Sequence, residues 1–345
     1  MNKISVVGLD LAKNVFQIHG VDSDGEVIVR KQLRRPQVRR FFANFAPCLI
    51  GMEACGGAHY WSRELTGLGH TVRVMAPIFV KPYLKTNKND RNDAEAICEA
   101  VQRPNMRFVQ PKTPEQQAVL HMHHARRLLV RQRVALSNHM RGTLSEYGIV
   151  LPPGVNAISR HLPALLEDAE NDLPMLARHL LAELKKEHDQ LINRIEVLEG
   201  HIKGWHATND VSQRLASIPG IGVLTASALA AVVGDGQDFR NGRQLAAYLG
   251  LVPRQASSGG KARLLGISKR GDRYLRGLLI HGARTVIYHI RRRMQAGQPG
   301  GNAWVEQLLR RCHPNEVAVA LANKTARIAW ALLIRKETWS PARPV

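Results

Sequence analysis

Residues 4–10 read Ile4-Ser5-Val6-Val7-Gly8-Leu9-Asp10, an apolar run that ends on an acid. Two more β-rich runs follow, at 13–20 and 26–32, and Asp22-Ser23-Asp24-Gly25 between them has the composition of a hairpin turn. Further along, the period changes. The pattern predicts a helix over 36–46, a strand over 48–53, a helix over 58–68, a strand over 71–76 and a helix over 91–102. Three antiparallel strands followed by alternating helix and strand make an α/β domain in the order of a ribonuclease H-like fold.

From Thr113 the character shifts. Thr113, Pro114 and Gln116 form a capping-box pattern ahead of a long helix to Tyr147, on which Arg126, Arg127, Arg131, Arg133 and Arg141 are spaced. Pro152-Pro153-Gly154 breaks the chain, and a second long helix is expected from Leu173 to Trp205. Its Leu181, Leu184, His188, Leu191, Ile195, Leu198 and Ile202 alternate spacings of three and four, the seam of a coiled coil. Such a pair of helices suits an antiparallel hairpin or a dimerisation arm, with His188 setting register. Beyond Ser212 the sequence is helical with glycine punctuation. Ile218-Pro219-Gly220-Ile221-Gly222 between apolar helical stretches reads as a helix–hairpin–helix, whose turn can offer N–H groups at Gly220 and Gly222 to a phosphate. An ordinary helix–helix turn is the alternative. The organisation expected is an α/β domain over 1–108, a helical coiled-coil segment over 109–206 and a mainly α domain over 207–345.

The 345 residues carry 49 Lys and Arg against 28 Asp and Glu, a formal net charge of +21, which points to a polyanionic partner and first of all to nucleic acid. Charge alone would also fit a merely soluble basic protein. Cys48, Cys55, Cys98 and Cys312 show no metal-ligand spacing and read as buried thiols of a reducing compartment. With no charged leader ahead of an apolar core and no run of eighteen apolar residues, the expectation is a cytoplasmic protein without a membrane partner.

Acids and serines could carry chemistry. Asp10 and Glu53 each end an apolar strand, and Asp90 and Asp93 lie three apart at a helix start, so the four can converge on one edge of the sheet. Four carboxylates make a hard-cation site suited to Mg2+, whose charge offsets their mutual repulsion. Taken singly, Asp90 and Asp93 could instead be helix caps, and Glu53 a surface residue. Glu95 and Glu99 are competing acids a turn further on. The second group is Pro253-Arg254-Gln255-Ala256-Ser257-Ser258-Gly259-Gly260-Lys261, followed by Gly266-Ile267-Ser268-Lys269-Arg270-Gly271. From Arg254 to Arg293 there are eleven Lys or Arg, among them Lys261, Arg263, Lys269, Arg270 and Arg273, and one acid, Asp272. Paired glycines admit a phosphate closely, so a serine here is either a phosphate binder or a nucleophile. His121-Met122-His123-His124 has no partner ligands at metal spacing and reads as helix surface.

Gly-Leu-Asp at Asp10, Met-Glu-Ala-Cys-Gly-Gly at Glu53, the Asp90/Asp93 pair, Ile218 to Gly222, Ser257 to Gly260 and Ile267 to Gly271 resemble, in order and spacing, the DEDD transposases of the IS110 family. Ala322-Asn323-Lys324-Thr325-Ala326-Arg327 looks most like the IS1111 branch. The resemblance spans nearly the whole chain. It implies a RuvC-like domain whose acids Asp10, Glu53, Asp90 and Asp93 bind Mg2+, a coiled-coil connection, and a C-terminal transposase domain with a nucleophilic serine. It also implies donor and target DNA as substrates, a structured guide RNA from the element's own ends (a bridge RNA), and dimers that join into tetramers. Aligned forward from Pro253 the family serine falls on Ser258, and aligned backward from Ser268-Lys269 it falls on Ser257. Threonine at the second place in related members points to Ser257. Two other functions compete: a RuvC-like magnesium-dependent, structure-specific DNA nuclease that does not need the serines, and a non-enzymatic nucleic-acid-binding protein whose acids are caps.

Overall fold

The opening apolar run forms β1 (Val6–Leu11), and the next two form β2 (Val15–Val21) and β3 (Val27–Arg34), an antiparallel meander. Asp22 fixes the turn between β2 and β3: its carboxylate accepts the N–H groups of Asp24 (3.0 Å) and Glu26 (2.9 Å), and Gly25 sits at φ 87°. After α1 (Arg35–Ala43), β4 (Leu49–Glu53) joins the other side of β1 in parallel; after α2 (Ala58–Gly67), β5 (Thr71–Met75) joins β4 in parallel. A short helix, α3 (Pro77–Val80), leads to α4 (Asp90–Val101), and β6 (Phe108–Val109) closes the sheet antiparallel to β5. The resulting order, β3-β2-β1-β4-β5-β6, is the ribonuclease H-like arrangement expected of the sequence. This computed structural model describes residues 4–85, 90–154 and 156–340, and for Asp90 the backbone alone. Two compact units make up the chain, Met1–Pro114 and Glu115–Val345.

α4 lies directly on the sheet because the residues facing each other are small. A Cβ placed on Gly8 would meet the Ala94 carbonyl oxygen at 2.0 Å, and one on Gly51 would meet Val101 Cβ at 2.7 Å. Ala94, Ile97, Cys98 and Val101 are correspondingly buried. The opposite face of the sheet packs Leu9, Phe16, Ile50 and Met52 against Phe42, Trp61 and Leu65 of α1 and α2.

The second unit begins with α5 (Pro114–Glu146), then α6 (Ala157–Glu167) and α7 (Met175–Thr208). α5 and α7 form an antiparallel hairpin. Glu115 accepts from the Trp205 indole N–H (2.6 Å), Arg126 pairs with Glu199 (2.6 Å), and Ser137 bonds to His188 (3.0 Å). The coiled-coil seam is thus filled within the chain. Leu191 and Ile195 meet Leu129 of α5, while Leu181 meets Met140 and Leu144. His188 is fully buried in that seam; Ser137 Oγ donates to the Arg133 carbonyl (2.7 Å) and so accepts from His188 Nε2–H. The sequence reading placed no element over α6, whose Ile158 and Leu162 close the far end of the hairpin.

α8 (Asp210–Ala216), the turn at 218–222 and α9 (Val223–Val233) build the expected helix–hairpin–helix, followed by α10 (Gly242–Tyr248). An antiparallel pair, β7 (Pro253–Gln255) and β8 (Leu264–Ile267), interrupts the helices where none was expected. α11 (Arg273–Gln295), α12 (Ala303–Leu309) and α13 (Pro314–Arg335) complete the unit. Among the described residues α13 is long and apolar enough to cross a membrane by length and composition. Its Val317, Leu321, Ala322, Ala326, Ala329 and Leu332, however, are buried in the core of this unit with residues of α8 to α12. Of the four cysteines expected to be buried thiols, Cys48 and Cys98 are buried, Cys312 is half-buried and Cys55 is exposed.

Candidate active site

Register brings the strand-end acids together. Gly8 pairs with Gly51 and Leu9 with Met52 in parallel, so Asp10 and Glu53 are the next residues on neighbouring strands, which run about 4.8 Å apart. Both are half-buried. Cys55 reports their closeness: its sulfur lies 3.9 Å from the Leu11 carbonyl, and its thiol is pushed up by partial burial, then by the charge of Asp10 and of Glu53.

Helix α4 brings the remaining pair to the same edge. Ala94 abuts Gly8, and one turn later Cys98 Sγ reaches the Val6 carbonyl (3.9 Å), so α4 runs antiparallel to β1. Its first turn, which carries Asp90 and Asp93, therefore lies toward the Asp10 end. Asp93 is half-buried; the side chain of Asp90 falls outside the described residues. Among the described residues, Asp10, Glu53 and Asp93 do not by themselves form a closed three-ligand metal cluster. The donor set is nonetheless all carboxylate oxygen, the chemistry of a hard divalent ion. The competing acids are occupied by cations. Glu99 pairs with Arg103 (2.6 Å) and Lys85 (3.1 Å), and Glu95 with Arg30 (3.6 Å) and Lys85 (4.0 Å).

In the second unit the serines sit at the tip of the β7–β8 hairpin. Ser258 bridges to Lys261, and the Lys261 N–H donates to the Ser258 carbonyl (3.0 Å). Gly259 and Gly260 between them have φ of 55° and 74°, the two positive values of a type I′ turn, which only glycine adopts without strain. Ser257 Oγ accepts from Gln255 Nε2 (2.8 Å) and from the Arg263 N–H (3.2 Å). Ser258 is exposed, and among the described residues its hydroxyl carries no side-chain hydrogen bond. Arg254, Lys261, Arg263, Lys269, Arg270 and Arg273 are all exposed and enter no ion pair among the described residues. Asp272, the lone acid of this basic stretch, caps α11 by accepting from the N–H groups of Tyr274 (2.7 Å) and Leu275 (3.1 Å).

The base of the hairpin is locked by contacts that composition did not reveal. A Cβ on Gly271 would meet the Tyr248 carbonyl oxygen at 1.8 Å, and one on Gly250 would meet that of Arg270 at 2.0 Å. Arg276, counted in the sequence as one more basic residue, is buried and donates to the carbonyls of Leu249 and Arg270 (3.1 Å each). Its role could not be read from spacing, because the two carbonyls meet only when the loops close.

Gly220 has φ 87° and packs on Gly282 of α11, where a Cβ on Gly282 would meet the Gly220 carbonyl oxygen at 1.8 Å; Gly222 is exposed as the N-cap of α9. His123 corrects the reading of residues 121–124 as helix surface. It is fully buried, 3.0 Å from both Ser227 Oγ and the Tyr274 hydroxyl. Ser227 Oγ donates to the Val223 carbonyl (2.7 Å), so it accepts from His123 Nε2–H, and Nδ1 accepts from Tyr274. Burial, and then the charge of Arg126, lowers the His123 pKa to about 4 and keeps the ring neutral.

Comparison with known proteins converges on one family. The model of the IS110 DEDD transposase domain matches residues 7–149, and that of the transposase IS116/IS110/IS902 family matches residues 212–297. A probable family 20 transposase of Pseudomonas aeruginosa is 53% identical over 340 residues, covering 98% of this chain and 99% of that protein. The transposase for insertion sequence element IS1328 of Yersinia enterocolitica is 45% identical over 99% of this chain and 100% of its own length. That for IS1111A of Coxiella burnetii is 44% identical over 98% and 92%. A DEDD transposase domain implies divalent-metal catalysis on DNA. With two family models along its length and full-length relatives of this kind, the chain belongs to the IS110 family of insertion-sequence transposases, close to the IS1111A transposase.

Proposed function

We propose that this transposase cuts and rejoins DNA with Mg2+ held by Asp10, Glu53, Asp90 and Asp93 and with a serine of the β7–β8 hairpin as nucleophile. The observation that carries the metal half is the parallel register that sets Asp10 beside Glu53, with the first turn of α4 at the same sheet edge. When bound, Mg2+ at such a site polarises the phosphate and stabilises the attacking and leaving oxygens. The chain's own part is to gather the four carboxylates at one sheet edge, while Lys85, Arg30 and Arg103 are engaged by the neighbouring Glu95 and Glu99.

Of the two serines, Ser258 is the better placed nucleophile. Ser257 Oγ already accepts two hydrogen bonds, one from Gln255 on its own arm and one from Arg263 across the hairpin, whereas among the described residues the Ser258 hydroxyl has no side-chain hydrogen bond and lies beside two residues without Cβ. Attack forms an Oγ–P ester and breaks one P–O bond to a deoxyribose. The serine proton leaves to solvent and the departing deoxyribose oxygen takes one up. Attack by the hydroxyl of another DNA end reverses these changes and frees the serine, so rejoining needs no external energy source. The exposed, unpaired cations of the hairpin lower the cost of bringing a phosphate there and favour the alkoxide.

In this reading a structured RNA from the element's ends selects donor and target, and the enzyme works as dimers that join into tetramers. The net charge of +21 supports more than one nucleic-acid strand, and exposed Leu176 (81%) and Val150 (83%) on the hairpin unit support self-association.

The test combines purified protein, element-end RNA, donor and target DNA, and Mg2+. Wild type, Asp10→Ala, Ser257→Ala and Ser258→Ala are compared for recombinant product and for a DNA–protein adduct that survives denaturation. The expected result is an adduct that requires Ser258, Asp10 and Mg2+. Cleavage that persists in both serine variants without an adduct would instead favour a RuvC-like nuclease.

A further inference from the structure

Two cavities in the second unit share a wall. The larger, about 1160 Å³, opens beneath the β7–β8 hairpin. Leu265, Gly266 and Ile267 line one side, and Trp304, Lys324 and Arg327 line another. The smaller, about 500 Å³, lies between α11 and the start of α13, with Arg284, Tyr288, Arg291 and Arg292 along it. Asn315 lines both.

Their linings share one chemistry. The larger carries Arg243, Lys324, Arg327 and Arg335 against a single acid, Glu316; the smaller carries three arginines and no acid. Each also presents an aromatic ring. Tyr288 is 61% exposed, and the half-buried Trp304 has Lys324 Nζ 4.7 Å from its ring centroid. Apolar Leu251, Val319 and Ile328 floor the larger cavity. Cations for the backbone, rings for the bases and an apolar floor together form the combination that holds an unpaired strand, since bases in a duplex are stacked on each other and unavailable to side chains. A volume of 1160 Å³ also exceeds the ~300–1,000 Å³ of ordinary small-molecule pockets.

We infer that the two cavities form one track for a single strand of DNA, entering past Tyr288 and Arg284, passing Asn315, and running between Trp304 and Arg327 to the serine hairpin. DNA is the occupant chosen because the track ends under the hairpin that carries the serines, a choice that rests on the nucleophile proposed above. Arg284 already reaches Asn315 (3.2 Å), which keeps a cation at the junction of the two cavities.

The experiment uses the full chain with an oligodeoxynucleotide of about 12 nucleotides, its blunt duplex and the RNA of the same sequence. Arg284→Glu and Arg327→Glu, one in each cavity, are compared with Arg160→Glu, an equal charge change on exposed α6. Each track variant is expected to weaken single-stranded DNA binding about tenfold and Arg160→Glu far less. Each should also reduce the salt slope by about 0.7. The strand should quench tryptophan emission in wild type, and Trp304→Phe, which keeps a stacking ring, should bind while losing most of that quench. Thermal melts confirm that the variants are folded. The track is overturned if both variants bind as Arg160→Glu does, if duplex is bound as tightly as single strand and loses as much, or if the loss is confined to RNA. Failure of the serine reading would show separately, as a missing adduct with the single-strand defects intact.

Discussion

Acid should destabilise the second unit through one buried ring. In the unfolded chain His123 has its ordinary pKa of 6.5; folded, burial and then Arg126 lower it to about 4. A histidine with a lowered folded pKa binds its proton more readily when unfolded, so its contribution is fully present above pH 6.5 and is lost as the pH falls toward 4. The linkage integral over these two values gives a loss of about 2 kcal/mol between pH 8 and pH 5. His123 is fully buried, so solvent screening does not erode this figure. His123→Gln is the matched control, because its amide can donate to Ser227 and accept from Tyr274 without titrating. Denaturant unfolding followed by tryptophan emission reports mainly on this unit, which holds Trp205, Trp304, Trp330 and Trp339 of the five tryptophans. Groups other than residue 123 are common to both proteins and cancel in the difference. The stability gap between wild type and His123→Gln should move by about 2 kcal/mol in favour of the variant on going from pH 8 to pH 5. A gap that stays constant over that range would refute the neutral, doubly bonded ring.

Three further outcomes follow from close contacts. Gly8→Ala places a methyl 2.0 Å from the Ala94 carbonyl oxygen and must displace α4 from β1; it should cost at least the ~1–3 kcal/mol of an overpacked core in a denaturant melt, with metal-dependent DNA cleavage lost in protein that remains folded. Arg276→Met removes the donor to the Leu249 and Arg270 carbonyls and should cost ~1–3 kcal/mol, with faster amide exchange at 249–251 and 269–271 than in wild type. Gly259→Val forces φ 55° on a β-branched residue at the hairpin tip; recombinant product should fall sharply while DNA affinity and melting temperature change little, because the tip is exposed and outside the core.

Much of the first unit was legible in the chain. The strands at 4–10, 13–20, 26–32 and 48–53 alternate or run apolar between turn residues, and local periodicity of that kind survives folding because neighbouring residues set it. α6 and the β7–β8 hairpin were less visible. α6 is short and follows a proline break, and β7 and β8 are strands of only three and four residues, too short for an alternating pattern to stand out. His123 was misread for the opposite reason. Its neighbours His121, His124 and Arg127 give a polar local pattern, and what buries it comes from Ser227 and Tyr274, more than a hundred residues away.

The sequence by itself determined the family, the fold class with most of its first-unit elements, and the candidate residues, since acids at strand ends, a glycine-marked turn and a basic, serine-bearing stretch are local patterns. Tertiary structure decided what those residues meet. It took the parallel register of β1 and β4 to set Asp10 beside Glu53, and the contact at Gly8 to aim the first turn of α4 at them. Folding also consumed the coiled-coil seam within one chain, turned Asp272 into a cap and Arg276 into a buried clamp, and separated Ser257 from Ser258 by their hydrogen bonds. Each of these depends on groups distant in sequence arriving within a few ångströms, which packing fixes and periodicity cannot express.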